Sequence, residues 1–219
     1  MHAHERTLLA RLGFADPDRR DPLHDIACRY LATPDVSMRI AKLLNLEYSN
    51  RPQCFRTEAG YEMKCESGRF VKEVRTACEY EIDKGVGQYR TTVGFIDVFL
   101  RIELEEAYTN VQKRRHYYQS RPADTTWEPS KDFVERDSEI AAIEVKSSDV
   151  PVSDVIRQIN LYRSYSNIRR WILATTYQLN QSQFDCLANA RILHIHLGQR
   201  FQDFVKEQAN TPCSNSVEV

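Results

Sequence analysis

Three ionisable residues in apolar surroundings have the types and the spacing that metal-assisted chemistry needs. Asp97 stands within the segment 94–98, and Glu144 and Lys146 flank Val145. Two carboxylates can hold a hard divalent cation, and a lysine beside them can stabilise developing negative charge. An acid and a base two residues apart are also an ordinary edge-strand pattern, so the Glu-x-Lys pair alone is a weak signal.

Strand periodicity predicts where these side chains point. In a strand predicted over 91–104, one face is apolar, formed by Ile96, Val98, Leu100, Ile102 and Leu104. Asp97 therefore points to the opposite face. In a strand predicted over 140–147, the apolar face is formed by Ala141, Ile143 and Val145. Glu144 and Lys146 then project together from the other face, about 7 Å apart along the strand.

These motifs together are more specific than any of them alone. Gly94-Phe95-Ile96-Asp97-Val98, then Ile143-Glu144-Val145-Lys146, then Gln158-x-x-x-Tyr162 resembles the RecB-like branch of the PD-(D/E)xK nuclease superfamily. The resemblance covers roughly residues 90–165. Gln158 and Tyr162 are four residues apart on a predicted helix and therefore share one of its faces.

The resemblance implies a Mg²⁺- or Mn²⁺-dependent deoxyribonuclease with a restriction-endonuclease-like core. Asp97 and Glu144, with the backbone carbonyl of Val145, would hold the metal ion. Lys146 would orient the attacking water and stabilise negative charge. Gln158 would help to hold the site or the scissile strand. Tyr162 would either contact the phosphate or pack in the core.

The chain departs from the family pattern in two respects. The 46 residues between Asp97 and Glu144 exceed the usual spacing, which predicts an inserted loop at about 106–138. The family also commonly has an upstream Glu or His on a helix that adds a metal contact. The acidic candidates for that contact are Glu5, Glu47, Glu58, Glu62 and Glu66. None stands in a recognisable motif, and Glu62 is the preferred candidate.

Basic and aromatic residues form a cluster in the segment 113–118, a pattern that suits contacts to a nucleic-acid backbone and to bases. The predicted nucleic-acid-binding residues are Lys113, Arg114, Arg115, Tyr117 and Arg157. A solvated charged loop remains an equally good interpretation of the same segment.

The pattern of elements predicts an α/β fold in which a mixed central β-sheet is flanked by helices. Residues 1–50 are predicted to be helical, with helices near 8–12, 22–31 and 38–44, the last capped by Ser37. Residues 51–205 are predicted to form the nuclease core, with strands from about Gly68 and a hairpin across the turn after Ile82. Strand, helix and strand alternate after residue 140, which predicts parallel pairing. Residues 206–219 are predicted to be a disordered polar tail.

Composition limits the class of protein. The 30 basic and 31 acidic residues give a net charge of −1, so nothing in the overall charge indicates a polyanion partner. The sequence contains no apolar run long enough to span a membrane and no secretion pattern at its start, so we expect a cytoplasmic protein.

Six cysteines are spread along the chain without a Cys-x-x-Cys pair, so free thiols are expected. Pairs such as His24 with Cys28, or His194 with His196, have metal-ligand spacing but lack a second ligand pair.

Two further functional hypotheses stay open. The first is a nucleic-acid-binding module that keeps the nuclease fold with weak or no catalysis. The second is a subunit that cuts only with a helicase or recognition partner. Cutting of both DNA strands would favour a homodimer.

Overall fold

The computed structural model describes residues 21–84, 91–115 and 126–210. Its helices are α1 (Pro22–Leu31), α2 (Pro34–Leu43), α3 (Val152–Tyr165), α4 (Gln181–Asn189) and α5 (Gln199–Asn210). Its strands are β1 (Tyr48–Arg56), β2 (Tyr61–Lys84), β3 (Thr91–Arg115), β4 (Glu128–Pro129), β5 (Phe133–Lys146), β6 (Arg170–Thr175) and β7 (Ile192–His196). The strands hydrogen-bond in the order β1-β2-β3-β5-β6-β7, and β4 pairs with β3. The protein is therefore a mixed α/β fold with a mixed sheet flanked by helices.

The chain divides into two compact units whose boundaries differ from the predicted domains. Of the described residues, the first unit takes 21–36, 76–100 and 140–210, and the second takes 37–75 and 101–139. Strands β2, β3 and β5 each contribute residues to both units. The predicted boundary at residue 50 falls inside β1.

The first unit contains the parallel part of the sheet. Glu144 on β5 pairs with Leu173 on β6, and Leu173 pairs with His194 on β7. Helices α3 and α4 connect these strands, as the alternation of strand and helix predicts. The apolar stripe of α3 is buried in one core with residues of β6; its members are Val152, Val155, Ile159 and Tyr162.

Local sequence explains where these helices begin. In α4 the Asn180 side chain accepts a hydrogen bond from Gln183 N at 3.0 Å, and the Gln183 side chain accepts one from Asn180 N at 2.8 Å. This reciprocal pair satisfies two backbone donors that a helix start otherwise leaves open. In α1 the Asp21 carboxylate accepts hydrogen bonds from the backbone of Leu23 and His24, and Pro22 takes the first helical position.

The predicted faces of β3 and β5 are confirmed. The apolar residues of β3 are 0–2% exposed; they are Ile96, Val98, Leu100, Ile102 and Leu104. On β5, Ala141, Ile143 and Val145 are fully buried. Glu144 on the opposite face of β5 is also buried, at 1% exposed, so this strand is covered on both sides.

The second unit is built from α2, β1 and the adjoining portions of the long strands. β1 and β2 are antiparallel, with Arg56 opposite Glu62, and the chain reverses between them at Gly60. Gly60 has φ +77°, a conformation that glycine adopts without steric cost. The buried apolar residues of the second unit are Ile40, Ala41, Leu46, Cys65, Ile102, Leu104 and Val111.

The inserted loop predicted for residues 106–138 is largely strand in its described part. β3 continues to Arg115, β4 follows at Glu128–Pro129, and β5 begins at Phe133. Residues 134–138 are all exposed. An exposed strand has no buried face, so it lacks the apolar alternation by which a strand is recognised in a sequence. The exposure of β1 explains in the same way why no strand is predicted there. The start of β2 has two buried positions, Cys65 and Ser67, of which only one is apolar.

Two predictions near helix ends are corrected. α2 begins at Pro34, and Ser37 lies buried inside it instead of capping it. Residues 199–210 form α5, so residues 206–210 are helical where a disordered tail is predicted. The helix predicted near 8–12 and residues 211–219 lie outside the described residues. No helix among the described residues is long and apolar enough to cross a bilayer.

Candidate active site

The carboxyl end of β5 carries a buried ion pair. Lys146 Nζ donates a hydrogen bond to Glu144 Oε1 at 2.6 Å and a longer one to Gln158 Oε1 at 3.4 Å. Gln158 is on α3, which follows β5 in the chain. The structure therefore brings together three of the predicted catalytic residues at one strand end.

Asp97 joins this group from β3. Its Oδ2 accepts a hydrogen bond from the backbone N–H of Val145 at 2.7 Å. Val145 lies between Glu144 and Lys146, so this bond fixes Asp97 against the strand that carries the other two residues. The side chain of Asp97 is 17% exposed and that of Lys146 is 19% exposed, so both are partly accessible to solvent.

Helix α1 adds a histidine that the sequence did not assign to this site. His24 Nε2 lies 3.3 Å from Asp97 Oδ1. One turn later on the same face of α1, Cys28 Sγ lies 3.8–3.9 Å from the two ring nitrogens of His24. Among the described residues, the ligand atoms of His24, Cys28 and Asp97 all lie within 4.8 Å of one another.

The start of α1 is tied to the end of β5. The Asp21 carboxylate that caps α1 also accepts a hydrogen bond from the hydroxyl of Ser147, the residue that follows Lys146. The hydrogen bond lowers the pKa of the Asp21 carboxyl. This contact and the pairing of His24 with Asp97 position α1 beside the carboxylates.

Burial dominates the electrostatics of Glu144. Desolvation and the negative charge of Asp97 raise the pKa of Glu144 to about 7, although Lys146 acts in the opposite direction. Burial by itself would lower the pKa of Lys146, but the negative charges of Glu144 and Asp97 outweigh it and the pKa is raised. Lys146 is therefore a cation at neutral pH.

His24 also carries a positive charge in the arrangement that the structure shows. Its hydrogen bond with Asp97, followed by that with Cys28, raises the pKa of His24 to about 11. Burial raises the pKa of the Cys28 thiol above its ordinary value. The imidazolium thus lies against Asp97, whereas Lys146 is the cation that hydrogen-bonds to Glu144; the charge of His24 also acts on Glu144, but less strongly.

One carboxylate oxygen of Glu144 is unsatisfied. Among the described residues, no hydrogen-bond donor reaches its buried Oε2. A buried polar atom without a partner is costly, and such atoms in native proteins commonly mark a functional group or an absent ion.

Tyr162 contacts Gln158 from within the core. Gln158 Nε2 donates a hydrogen bond to the Tyr162 hydroxyl at 3.0 Å. Tyr162 is fully buried, its ring centroid lies 5.9 Å from that of Trp171, and burial raises the pKa of its hydroxyl. These contacts favour the core interpretation of Tyr162 over direct contact with a phosphate.

Glu62, the preferred upstream ligand, belongs to the second unit. Its Oε2 accepts two hydrogen bonds from Arg114, at 2.7 and 2.9 Å, and its Oε1 accepts one from the Cys54 thiol at 3.3 Å. Its role as a metal ligand stays a prediction. In the first unit, His24 is the helical residue that the structure places against Asp97.

The predicted nucleic-acid-binding residues fall in different parts of the protein. Lys113, Arg114 and Arg115 end β3 in the second unit, and their cationic groups lie 4.8–6.0 Å from the rings of Tyr61 and Trp127. Arg157 is exposed on α3 in the first unit. Tyr117 lies outside the described residues.

Free thiols were expected, and the described cysteines are free; only Cys28 and Cys65 are buried. Of the two histidine pairs with metal-ligand spacing, the structure places only His24 beside a carboxylate. His194 Nε2 instead lies 2.8 Å from the Thr175 hydroxyl. The spacing of His24 and Cys28 was visible in the sequence, but their partner Asp97 is distant along the chain.

The chain matches no protein-family model, no curated protein and no solved structure.

Proposed function

We propose that the chain is a metal-dependent nuclease that hydrolyses phosphodiester bonds in DNA with Mg²⁺ or Mn²⁺. The observation that carries the proposal is Glu144, a buried carboxylate with one oxygen that no described residue satisfies. Buried carboxylates are normally fully paired or coordinate a metal, because an uncompensated charge in the interior is costly. Asp97 and Lys146 lie beside Glu144, which supplies a second carboxylate and a cation.

The donor atoms fit a hard divalent cation. Asp97 and Glu144 offer carboxylate oxygens, and Val145 offers its backbone carbonyl by resemblance to the family. Mg²⁺ and Mn²⁺ prefer such oxygen ligands. His24 is a better candidate than Glu62 for the additional helix ligand, because it already contacts Asp97. When bound, the cation would neutralise charge on the phosphoryl oxygens and favour ionisation of the attacking water.

Lys146 is the residue to which we assign the water-orienting role. Glu144 and Gln158 hold its ammonium group from two elements, so its position is fixed before a substrate arrives. Gln158 is in turn held by Tyr162. We therefore assign Gln158 and Tyr162 as positioning residues for Lys146, and Lys146 as the group that stabilises negative charge on the phosphate.

DNA is proposed as the substrate because the family that the sequence resembles acts mostly on DNA. Contacts to the backbone are proposed for Lys113, Arg114, Arg115, Tyr117 and Arg157. Of these, Lys113 and Arg115 share the ring of Tyr61, an arrangement that offers charge and a stacking surface together.

One observation favours the alternative of a catalytically weak or partner-dependent nucleic-acid-binding module. Both oxygens of Asp97 already have partners within the protein, Val145 N and His24 Nε2. A divalent ion would have to displace the proton of His24 or share Asp97 with it. In this alternative the imidazolium permanently takes the place of the metal.

The deciding experiment is cleavage of circular and linear DNA, single- and double-stranded, with Mg²⁺, with Mn²⁺ and with a chelator. The nuclease should cut only with metal, and Lys146→Ala should lower the rate by on the order of 100-fold or more, as for loss of a preorganised charge-stabilising group. Nicked or linearised circles would indicate endonucleolytic cutting.

The matched control is Lys206→Ala, which removes an exposed lysine of α5 that lies 3.9 Å from Asp203. It should cut like the unmodified protein. Far-ultraviolet circular dichroism of both variants checks that they are folded. Metal-dependent cutting that survives in folded Lys146→Ala would contradict the mechanism. No cutting by the unmodified protein under any condition would favour the binding module.

A further inference from the structure

Helix α1 presents two side chains to Asp97, and one of them is a thiol. His24 and Cys28 are four residues apart, so they lie on the same face of α1. Their partner Asp97 comes from β3, and the three ligand atoms lie within 4.8 Å of one another. An oxygen, a nitrogen and a sulfur donor therefore converge from two elements.

The distances between the ligand atoms suit a tetrahedral ion. Zinc bonds of about 2.0–2.3 Å place neighbouring ligand atoms of a tetrahedron roughly 3.3 to 3.7 Å apart. The separation of His24 Nε2 from Asp97 Oδ1 is 3.3 Å, and that of Cys28 Sγ from His24 Nε2 is 3.9 Å. The third separation, from Cys28 Sγ to the Asp97 carboxylate, is within 4.8 Å, so closing the set around an ion would require movements of up to about 1 Å.

The surroundings of His24 provide an independent indication. Its other ring nitrogen, Nδ1, lies 3.7 Å from Asp25 Oδ1. A histidine that ligates a metal through one nitrogen commonly faces a carboxylate with the other, which orients the ring and raises its basicity. The Asp21 cap and its contact with Ser147 hold the start of the same helix in place.

We propose that His24, Cys28 and Asp97 form a binding site for Zn²⁺, with the fourth position open to water. Sulfur and imidazole donors favour zinc over magnesium, whose ligands are almost entirely oxygens. Zinc binding would release the proton of the Cys28 thiol and that of His24 to solvent. Cys28 is buried, whereas His24 is 30% exposed, so the ion would enter past the imidazole.

This site does not require that the chain cut DNA, because zinc can be bound whether or not catalysis occurs. Its consequence for cleavage does rest on the proposed function. Asp97 and His24 are shared by the two proposed sites, so Zn²⁺ bound to the thiol would compete with Mg²⁺ and slow Mg²⁺-dependent cutting.

The test is direct detection of the metal–thiolate bond in the full-length, metal-free protein. Titration with Co²⁺, a zinc substitute, should produce thiolate-to-metal charge-transfer absorption in the near ultraviolet at one ion per chain. Zn²⁺ should abolish this absorption at stoichiometric concentration, and a large excess of Mg²⁺ should not. No such absorption in the unmodified protein would overturn the proposal.

Variants locate the signal. Cys28→Ser should remove the charge-transfer absorption and weaken Zn²⁺ binding by more than about 100-fold, since loss of a group that only orients a ligand already costs 10- to 100-fold. Cys78→Ser is the matched control, because the Cys78 thiol lies 3.9 Å from the backbone oxygen of Cys28 and is absent from the ligand group. It should bind Co²⁺ with the same spectrum as the unmodified protein.

His24→Ala gives a second test should Cys28→Ser fail to fold. It removes the nitrogen ligand at a partly exposed position and should weaken Co²⁺ and Zn²⁺ binding to a similar extent. Charge-transfer absorption that persists in folded Cys28→Ser, or zinc affinity that His24→Ala leaves unchanged, would overturn the assignment. These readouts are independent of cleavage, so a failure of the nuclease proposal is recognised separately.

Discussion

Two acid–base pairs in different units of the protein show how differently the same kinds of group can be used. In the second unit, the carboxylate of Glu62 accepts two hydrogen bonds from Arg114 and one from Cys54. In the first unit, Glu144 accepts one from Lys146, and its second oxygen has no partner among the described residues. The first arrangement is satisfied within the protein, whereas the second leaves a buried oxygen for something else.

The choice of cation fits this difference. Arginine offers several donors in a planar fork, and two of them, Nε and Nη2 of Arg114, reach the same oxygen of Glu62, Oε2, whereas lysine is a compact point charge. Glu62 and Arg114 therefore form a structural pair on adjoining strands. Glu144 keeps one oxygen without a partner among the described residues, beside Asp97, as the proposed cation site requires.

The largest expected effect is the difference in DNA cleavage between Glu144→Gln and Glu62→Gln, which make the same isosteric substitution in the two pairs. Glu144→Gln should lower DNA cleavage by on the order of 100-fold or more and abolish stabilisation by Mg²⁺, because the ligand charge is lost. Glu62→Gln should leave cleavage within a few-fold and reduce the free energy of unfolding by about 1 kcal/mol, as for loss of a charged hydrogen bond at a partly buried site. Cleavage assays and thermal unfolding with and without Mg²⁺ measure both effects.

This pair of variants also decides between the two candidates for the upstream ligand. Loss of cleavage in folded Glu62→Gln, at a level comparable with Glu144→Gln, would restore Glu62 as a metal ligand. Full cleavage by Glu144→Gln would instead contradict the assignment of Glu144 as a metal ligand, on which the nuclease proposal rests.

The second prediction concerns pH in the presence of a chelator. The pKa of Glu144 is raised from its ordinary 4.5 to about 7 in the fold, so the folded state binds this proton more tightly than the unfolded chain does. The resulting stability is present below about pH 4.5 and is lost as pH rises through about 7. The raised pKa corresponds to about 3 kcal/mol at most.

The comparison that isolates Glu144 is chemical denaturation of the metal-free protein and of Glu144→Gln between pH 5 and 8. The charged groups that act on Glu144 are Asp97 on β3, Lys146 on β5 and His24 on α1. The pKa of His24 is raised to about 11, so its contribution to stability is lost mainly above this range. The unmodified protein should lose stability relative to the variant as pH rises. Parallel pH dependences would show that Glu144 titrates normally.

The sequence predicts side-chain orientation well where an element has one buried apolar face, because apolar residues then recur with the period of a strand or a helix. Alternation on β3 and β5 and the apolar stripe of α3 correctly predicted the faces on which Asp97, Glu144 and Gln158 lie. Their proximity is what the resemblance of the motif set to the nuclease family implies. No local pattern could reveal that Asp97 is paired with His24, because that contact depends on how α1 packs against distant strands.

The second unit was harder to predict for the opposite reason. Much of its strand surface is exposed, as at 134–138, so polar residues dominate and no period of two appears. The pairing of Glu62 with Arg114 joins β2 to β3, and a loop predicted at 106–138 excludes that pairing. Stability there depends on cross-strand partners, which sequence distance conceals.

The smallest expected effect concerns DNA binding by the second unit. Lys113→Ala and Arg115→Ala remove two cations that share the ring of Tyr61. If they contact phosphates, each variant should weaken binding of single-stranded DNA several-fold and reduce the slope of log affinity against log salt by about 0.7. Arg136→Ala, an exposed arginine of the same unit whose Nε lies 3.8 Å from Glu105, is the control. Fluorescence anisotropy at several salt concentrations measures the slope. Unchanged slopes in both test variants would indicate that Lys113 and Arg115 do not contact DNA. These residues would then have a structural role in the second unit, as the Glu62–Arg114 pair does.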